Sequence, residues 1–259
     1  DDGMKRILLT PNPYRDKGFQ AVRQAQEMLR SAGVEAKVCL PFEVDRGFEL
    51  PRGIRFHSLE KELNWADAVI CLGGDGTILH TAKAATRHGK PILGVNVGTM
   101  GFIAELENTE LDKLPLLATD SYTLDKRMML DITVQRQAQE VFQDICLNDA
   151  VVTKGAVARI VRLDVRCDGV QAMECGGDGL IVADVVSRCV VASDRRVIQV
   201  SLAENARRNA FLSVDGGRAF KLQQGDVVTI QRSKLDAMLI RVKERSFYDV
   251  LNHKFRNNT

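Results

Sequence analysis

The sequence predicts a two-part protein: an α/β N-terminal domain with a parallel sheet and a GGDGT phosphate loop, then a mainly antiparallel, all-β C-terminal domain. Three observations predict it. Up to about residue 120, short apolar runs alternate with runs of helical period. One of those runs, "DAVICL" (67–72), is apolar without alternation, as expected of a strand buried on both faces. From about residue 122 the period changes to two, with Asp-Gly pairs between the runs.

The elements follow in order. "KRILLT" reads as a short strand that ends at Pro11-Asn12-Pro13, a turn signal. Phe19, Val22, Ala25, Leu29 and Ala32 recur at helical spacing, and Gly33 closes that helix. "VEAKVCL" returns as a strand, and a poorly defined stretch follows to about Ser58. A short helix is predicted over "LEKELNWA", then the buried strand "DAVICL". After the GGDGT motif, Ile78, Leu79, Ala82 and Ala85 form another helical face, and "KPILGVNV" another strand. Strand, helix and strand in succession imply a parallel sheet covered by helices. In the second half, Val161, Leu163, Val165 and Cys167 alternate with Arg162, Asp164, Arg166 and Asp168, a half-exposed strand. The predicted domains are 4–120, 121–245 and a C-terminal segment, 246–259, in which "SFYDVLNHKF" reads as an amphipathic helix packing back on the body.

Composition limits the function classes. With 259 residues, 45% of them hydrophobic, the chain has ample material for a core. A net charge of +2 points away from polybasic nucleic-acid and membrane binders. No apolar run reaches bilayer length and the start has no signal-peptide pattern, so the expected location is cytoplasmic. Asp1, Asp2 and Gly3 read as a short leader before the natural start at Met4. Six cysteines without a C-x-x-C pair and four scattered histidines predict buried free thiols and no metal site built from side chains.

The chemistry turns on Asp-Gly pairs. Asp168-Gly169 and Asp215-Gly216 are flanked by strands and read as hairpin turns. Asp75-Gly76 instead follows the buried strand and precedes a helix, at the carboxyl end of a parallel strand, where open α/β sheets bind ligands. Gly73, Gly74 and Gly76 leave backbone N–H groups open to phosphate oxygens, aided by the helix N-terminus. Thr77 can cap the helix or bind phosphate. An acidic residue in such a cradle is repelled unless it binds a metal or takes a proton from a nucleophile. The plain alternative is a glycine turn with an N-capping aspartate.

"LGGDGTILHTAKAATRHGKPILGVNVGTMGFIAEL", "CLNDAVV", "GGDGLIVA" and "FLSVDGG" together closely resemble the NAD kinase family, in its order and over most of the chain. GGDGT alone is shared with diacylglycerol and sphingosine kinases and with phosphofructokinases; the later blocks are more specific. The resemblance implies an NAD kinase-like fold and ATP-dependent phosphorylation of the adenosine ribose 2′-hydroxyl of NAD, giving NADP. It implies Asp75 as the carboxylate that activates that hydroxyl, with Gly74, Gly76 and Thr77 shaping the phosphate site. Asn148 and Asp149 would bind the adenosine of NAD, Asp178 would reach toward its nicotinamide half, and Phe102 would line the adenine pocket. It further implies Mg²⁺ arriving with ATP (or polyphosphate as donor), a homo-oligomer (dimer or tetramer), and neither nucleic acid nor membrane as partner.

The sequence departs from the family once. NAD kinases continue from GDGLIVAT into a segment of the form T-P-T-G-S-T-A-Y, whereas "GGDGLIVA" here runs directly into "DVVSRCVVASDRRVIQV". Either the chain lacks that segment, as a weakened or regulatory homologue would, or a mobile loop is left out between about Ala183 and Arg188, the reading favoured here. The rival functions are a lipid kinase of the diacylglycerol kinase superfamily and a non-catalytic NAD- or nucleotide-binding homologue.

Overall fold

The computed structural model describes residues 3–98, 101, 103–155, 160–183, 192–203 and 209–243. The C-terminal segment 246–259, with its expected helix, lies outside the described residues. Two compact units emerge, the first made of Asp1–Ile78, Lys90–Asp125 and Met238–Thr259, the second of Leu79–Gly89 and Lys126–Ala237.

The first unit is built on β1 (Arg6–Pro11), β2 (Glu35–Cys39), β3 (Phe56–His57), β4 (Ala68–Gly73), β5 (Ile92–Asn96) and β6 (Leu106–Glu107). Three α-helices interrupt them: α1 (Gln20–Ser31), α2 (Leu59–Glu62) and α3 (Asp75–Arg87), the last continuing into the second unit. The strand order is β3-β2-β1-β4-β5, with every pair parallel, and β6 and Leu239 also pair with β5. All six residues of β4 are buried, as its unbroken apolar run requires. Ala21, Val22, Ala25 and Leu29 of α1 turn inward onto the sheet core with Ile7, Leu9, Ile70 and Leu72. A fully buried leucine such as Leu29 contributes about 1.5–3 kcal/mol. Gly33 stops the helix with φ +78°, a left-handed conformation that suits glycine. A 3₁₀ segment (Asn108–Thr119), for which the sequence reading has no element, closes the core with Leu111, Leu114 and Leu117.

The second unit is antiparallel wherever its pairing register is defined. Its strands are β7 (Thr123–Arg136), β8 (Gln139–Cys146), β9 (Asp149–Lys154), β10 (Val161–Cys167), β11 (Val170–Gly177), β12 (Gly179–Ala183), β13 (Ile198–Leu202), β14 (Ala210–Val214), β15 (Phe220–Leu222) and β16 (Val227–Arg241), the first beginning and the last ending in the first unit. One sheet runs β11-β10-β13-β16, and β7, paired with β8, adds to β16. A second, four-stranded sheet runs β12-β9-β14-β15. The alternation read in 161–167 appears as Val161, Leu163 and Val165 in the core. Asp168 and Gly169 both take positive φ and turn β10 into β11, while Asp215 and Gly216 do the same between β14 and β15.

Cys39, Cys71 and Cys146 are buried and Cys167 and Cys175 half-buried, all as free thiols. Burial, with Glu62 nearby, pushes the Cys39 thiol up to about 12, so it stays protonated and inert. No described helix is long and apolar enough to cross a membrane.

Candidate functional site

In the first unit, β4 ends at Gly73 and α3 begins at Asp75, so the loop between them is a single residue, Gly74. The Ile78 N–H donates to the Gly74 carbonyl at 3.0 Å, which starts the helix and leaves the N–H groups of its first turn without intrahelical acceptors. Those donors and the helix dipole make this end attractive to anions. Gly76 is exposed, and a Cβ there would meet nothing within 4 Å, so its backbone faces open space. Gly73 is constrained instead: a Cβ would stand 2.8 Å from the Thr77 Cβ. Thr77 is buried inside the first turn rather than capping it, and its Oγ1 accepts the Asn12 Nδ2–H at 2.7 Å.

Asp75 is half-buried at the first helical position. Its Oδ1 accepts the Ile103 N–H at 3.1 Å, which ties the carboxylate to the segment after β5. Gly101 is packed against the same group, since a Cβ there would lie 2.3 Å from Oδ1. The carboxylate is therefore oriented by the backbone around it, which a plain helix cap does not need. Phe102, expected in an adenine pocket, lies outside the described residues.

Asn12, which the sequence marks only as a turn residue, extends this site. β1 pairs directly with β4, and the Asn12 N–H donates to the Leu72 carbonyl at 2.7 Å, so the turn after β1 sits beside the GGDGT loop. The signal that could have found it is the sheet rule itself: residues following adjacent parallel strands share one end of the sheet.

The second unit carries the other predicted residues. Asn148 and Asp149 lie at the turn from β8 into β9. The Asp215 carboxylate collects three N–H groups of that turn, from Leu147, Asn148 and Asp149, and the Asp215 N–H returns a bond to the Asp149 carbonyl at 2.8 Å. Asp215 is thus more than the hairpin residue that its Asp-Gly context suggests. Burial, and secondarily the Asp215 charge, raises the Asp149 carboxyl above the usual aspartate value. Asp178 lies between β11 and β12 with its side chain 87% exposed and paired with Lys154 Nζ at 2.7 Å. The junction 184–191 lies outside the described residues.

Comparison with known proteins gives this geometry a context. The profile described as "ATP-NAD kinase N-terminal domain" matches residues 18–120. An NAD kinase of Natranaerobius thermophilus is 34% identical, over 73% of this chain and 77% of its own length. The chain belongs to the NAD kinase family. A member of that family from Acetivibrio thermocellus is 29% identical over 97% of both chains. Its alignment has 286 positions, while 97% of 259 residues is about 251, so about 35 positions find no residue here. Among solved structures, yeast NADH kinase complexed with NADH superposes with a TM-score of 0.81 at 18% identity, covering 100% of this chain and 89% of that one. An NAD kinase from Archaeoglobus fulgidus in complex with ATP gives 0.67 at 20% identity, covering 98% and 100%. Both show the NAD kinase fold.

Proposed function

We propose that the chain is an NAD kinase that transfers the terminal phosphoryl group of ATP to the adenosine ribose 2′-hydroxyl of NAD, giving NADP and ADP. The observation that carries this reading is the Asp75 carboxylate, oriented by the Ile103 N–H at the phosphate-attracting start of α3. Phosphoryl transfer asks a protein for positioning and charge stabilisation. In the proposed step Asp75 accepts the 2′-hydroxyl proton, the ribose oxygen bonds to the γ-phosphorus, and the bond from that phosphorus to the bridging β,γ-oxygen breaks, releasing ADP. The N–H groups around Gly74, Gly76 and Thr77 hold the phosphates. Asn148 and Asp149 are assigned to the adenosine of NAD and Asp178 to its nicotinamide half, where carboxylates accept ribose hydroxyl hydrogens. Phe102 is assigned to the adenine.

Magnesium enters this reading as the counter-ion of ATP, neutralising phosphate charge. Among the described residues no three or more acidic, histidine or cysteine side chains cluster to hold a metal. A magnesium ion held chiefly by phosphates and water fits such a site, because it needs only one or two protein carboxylates. A cytoplasmic homo-oligomer completes the proposal. The test is NADP formation from NAD, ATP and Mg²⁺, with wild type active and Asp75→Asn reduced by about 10²- to 10⁴-fold.

A further inference from the structure

A transferring phosphoryl group is a polyanion, yet the GGDGT loop itself contains no cation. We propose that Arg15 supplies it: its guanidinium grips the terminal phosphates of the nucleoside triphosphate donor. The proposal rests on the kinase reading above and extends it to a residue of the turn after β1.

Arg15 is exposed, and its guanidinium lies against the backbone at both Gly74 and Gly98. A Cβ at Gly74 would stand 3.1 Å from the Arg15 Cζ and 3.2 Å from Nη1. One at Gly98 would stand 3.3 Å from Nη1. These two glycines follow β4 and β5, neighbouring strands, so the cation sits at the carboxyl end of the sheet where the first turn of α3 opens. The missing side chains at 74 and 98 are the space that admits it.

The turn that presents Arg15 is braced on several sides. The Arg15 and Asp16 N–H groups donate to the Asn12 carbonyl at 3.2 and 2.9 Å. Asn12 is itself bonded to Leu72 and Thr77, and its Oδ1 accepts the Tyr14 N–H at 2.9 Å. The buried Asp16 carboxylate accepts the Ala21 and Val22 N–H groups at 2.9 Å each, which docks the turn on α1. Tyr14 packs edge-on against Phe48 and bonds Asp45 through its hydroxyl at 2.7 Å. A long side chain on so fixed a backbone loses less freedom when it meets a ligand. A planar guanidinium suits the slot between two glycines and can give two parallel hydrogen bonds to a phosphate, which an ammonium cannot.

The test uses the whole chain as wild type, Arg15→Gln and Arg15→Lys, with calorimetric titrations of ATP–Mg²⁺ and, separately, of NAD. Loss of a charge-assisted phosphate contact should weaken ATP binding of Arg15→Gln by about 10- to 100-fold. NAD affinity should stay within about twofold, because the proposed contact is to the donor. Arg15→Lys should fall between wild type and Gln for ATP, and it decides the matter if the Gln variant does not fold. Unchanged ATP affinity in both variants overturns the proposal, as does an equal loss of ATP and NAD affinity or a wild type that binds no ATP. A wild type that binds ATP but forms no NADP defeats the kinase reading alone, and the ATP titrations then still decide the role of Arg15.

Discussion

The Asp215 carboxylate accepts the Asn148 N–H at 2.7 Å through the same oxygen, Oδ1, that takes the Asp149 N–H at 3.0 Å. Its other oxygen takes the Leu147 N–H at 2.9 Å. One side chain thereby fixes the backbone of the pair proposed to hold adenosine. Asp215→Asn puts an NH₂ group opposite at least one of these donors. Hydrogen bonds to a charged group are worth about 1.5–3 kcal/mol, so NAD affinity should fall by roughly tenfold or more while ATP affinity holds. Calorimetry with both nucleotides checks this, and a parallel loss of both would instead mark Asp215 as a fold residue.

NAD binding should also report the Asp149 environment. Burial, then the Asp215 charge, raises this carboxyl, so it takes up its proton at a higher pH than the ordinary aspartate value of 3.8. The ionised form is the one that would accept ribose hydroxyls in the proposed site. NAD affinity is therefore complete above the raised value and is lost as pH falls through it, and Asp149→Asn should be weaker than wild type above that value, converge with it below, and lack this step. A wild-type midpoint at or below 3.8 would show that another group controls binding.

Gly101 should be intolerant of even one methyl group. A Cβ there would stand 2.3 Å from Asp75 Oδ1, well inside van der Waals contact. Gly101→Ala should push the carboxylate off its Ile103 N–H and lower turnover by about 10²-fold, the usual cost of about 1 Å of misplacement. Thermal melting should show the fold retained. Wild-type turnover in a folded Gly101→Ala would mean that Asp75 works from a different position.

What the sequence reveals depends on how local the cause is. The GGDGT loop is legible because β4 is apolar at every position, and only a strand covered on both faces tolerates that. The hairpin at Asp168-Gly169 is legible because both residues must take positive φ. The 3₁₀ segment 108–119 is missed although its signals are present. Leu111, Leu114 and Leu117 recur every three residues, the 3₁₀ period, and Glu107 with Glu110 forms a capping box, but Pro115 in the middle argues against an α-helix.

Asn12, Arg15 and Asp215 are not legible in the same way. Their partners lie 65 residues distant for Asn12 and Thr77, and 67 for Asp215 and Asn148. Only the pairing of β1 with β4, and of β14 with β9, brings them together. A motif records residues that are near in sequence; these are near only in the sheet.

In the proposed reaction Asp75 takes the proton from the 2′-hydroxyl of NAD during phosphoryl transfer. The most direct measurement is the rate of NADP formation by wild type and Asp75→Asn at saturating ATP, Mg²⁺ and NAD, with NAD affinity measured in parallel. Turnover of Asp75→Asn should fall by about 10²- to 10⁴-fold with NAD affinity nearly unchanged. Turnover of Asp75→Asn within about threefold of wild type would contradict it, and Asp75 would then be a loop residue at the start of α3.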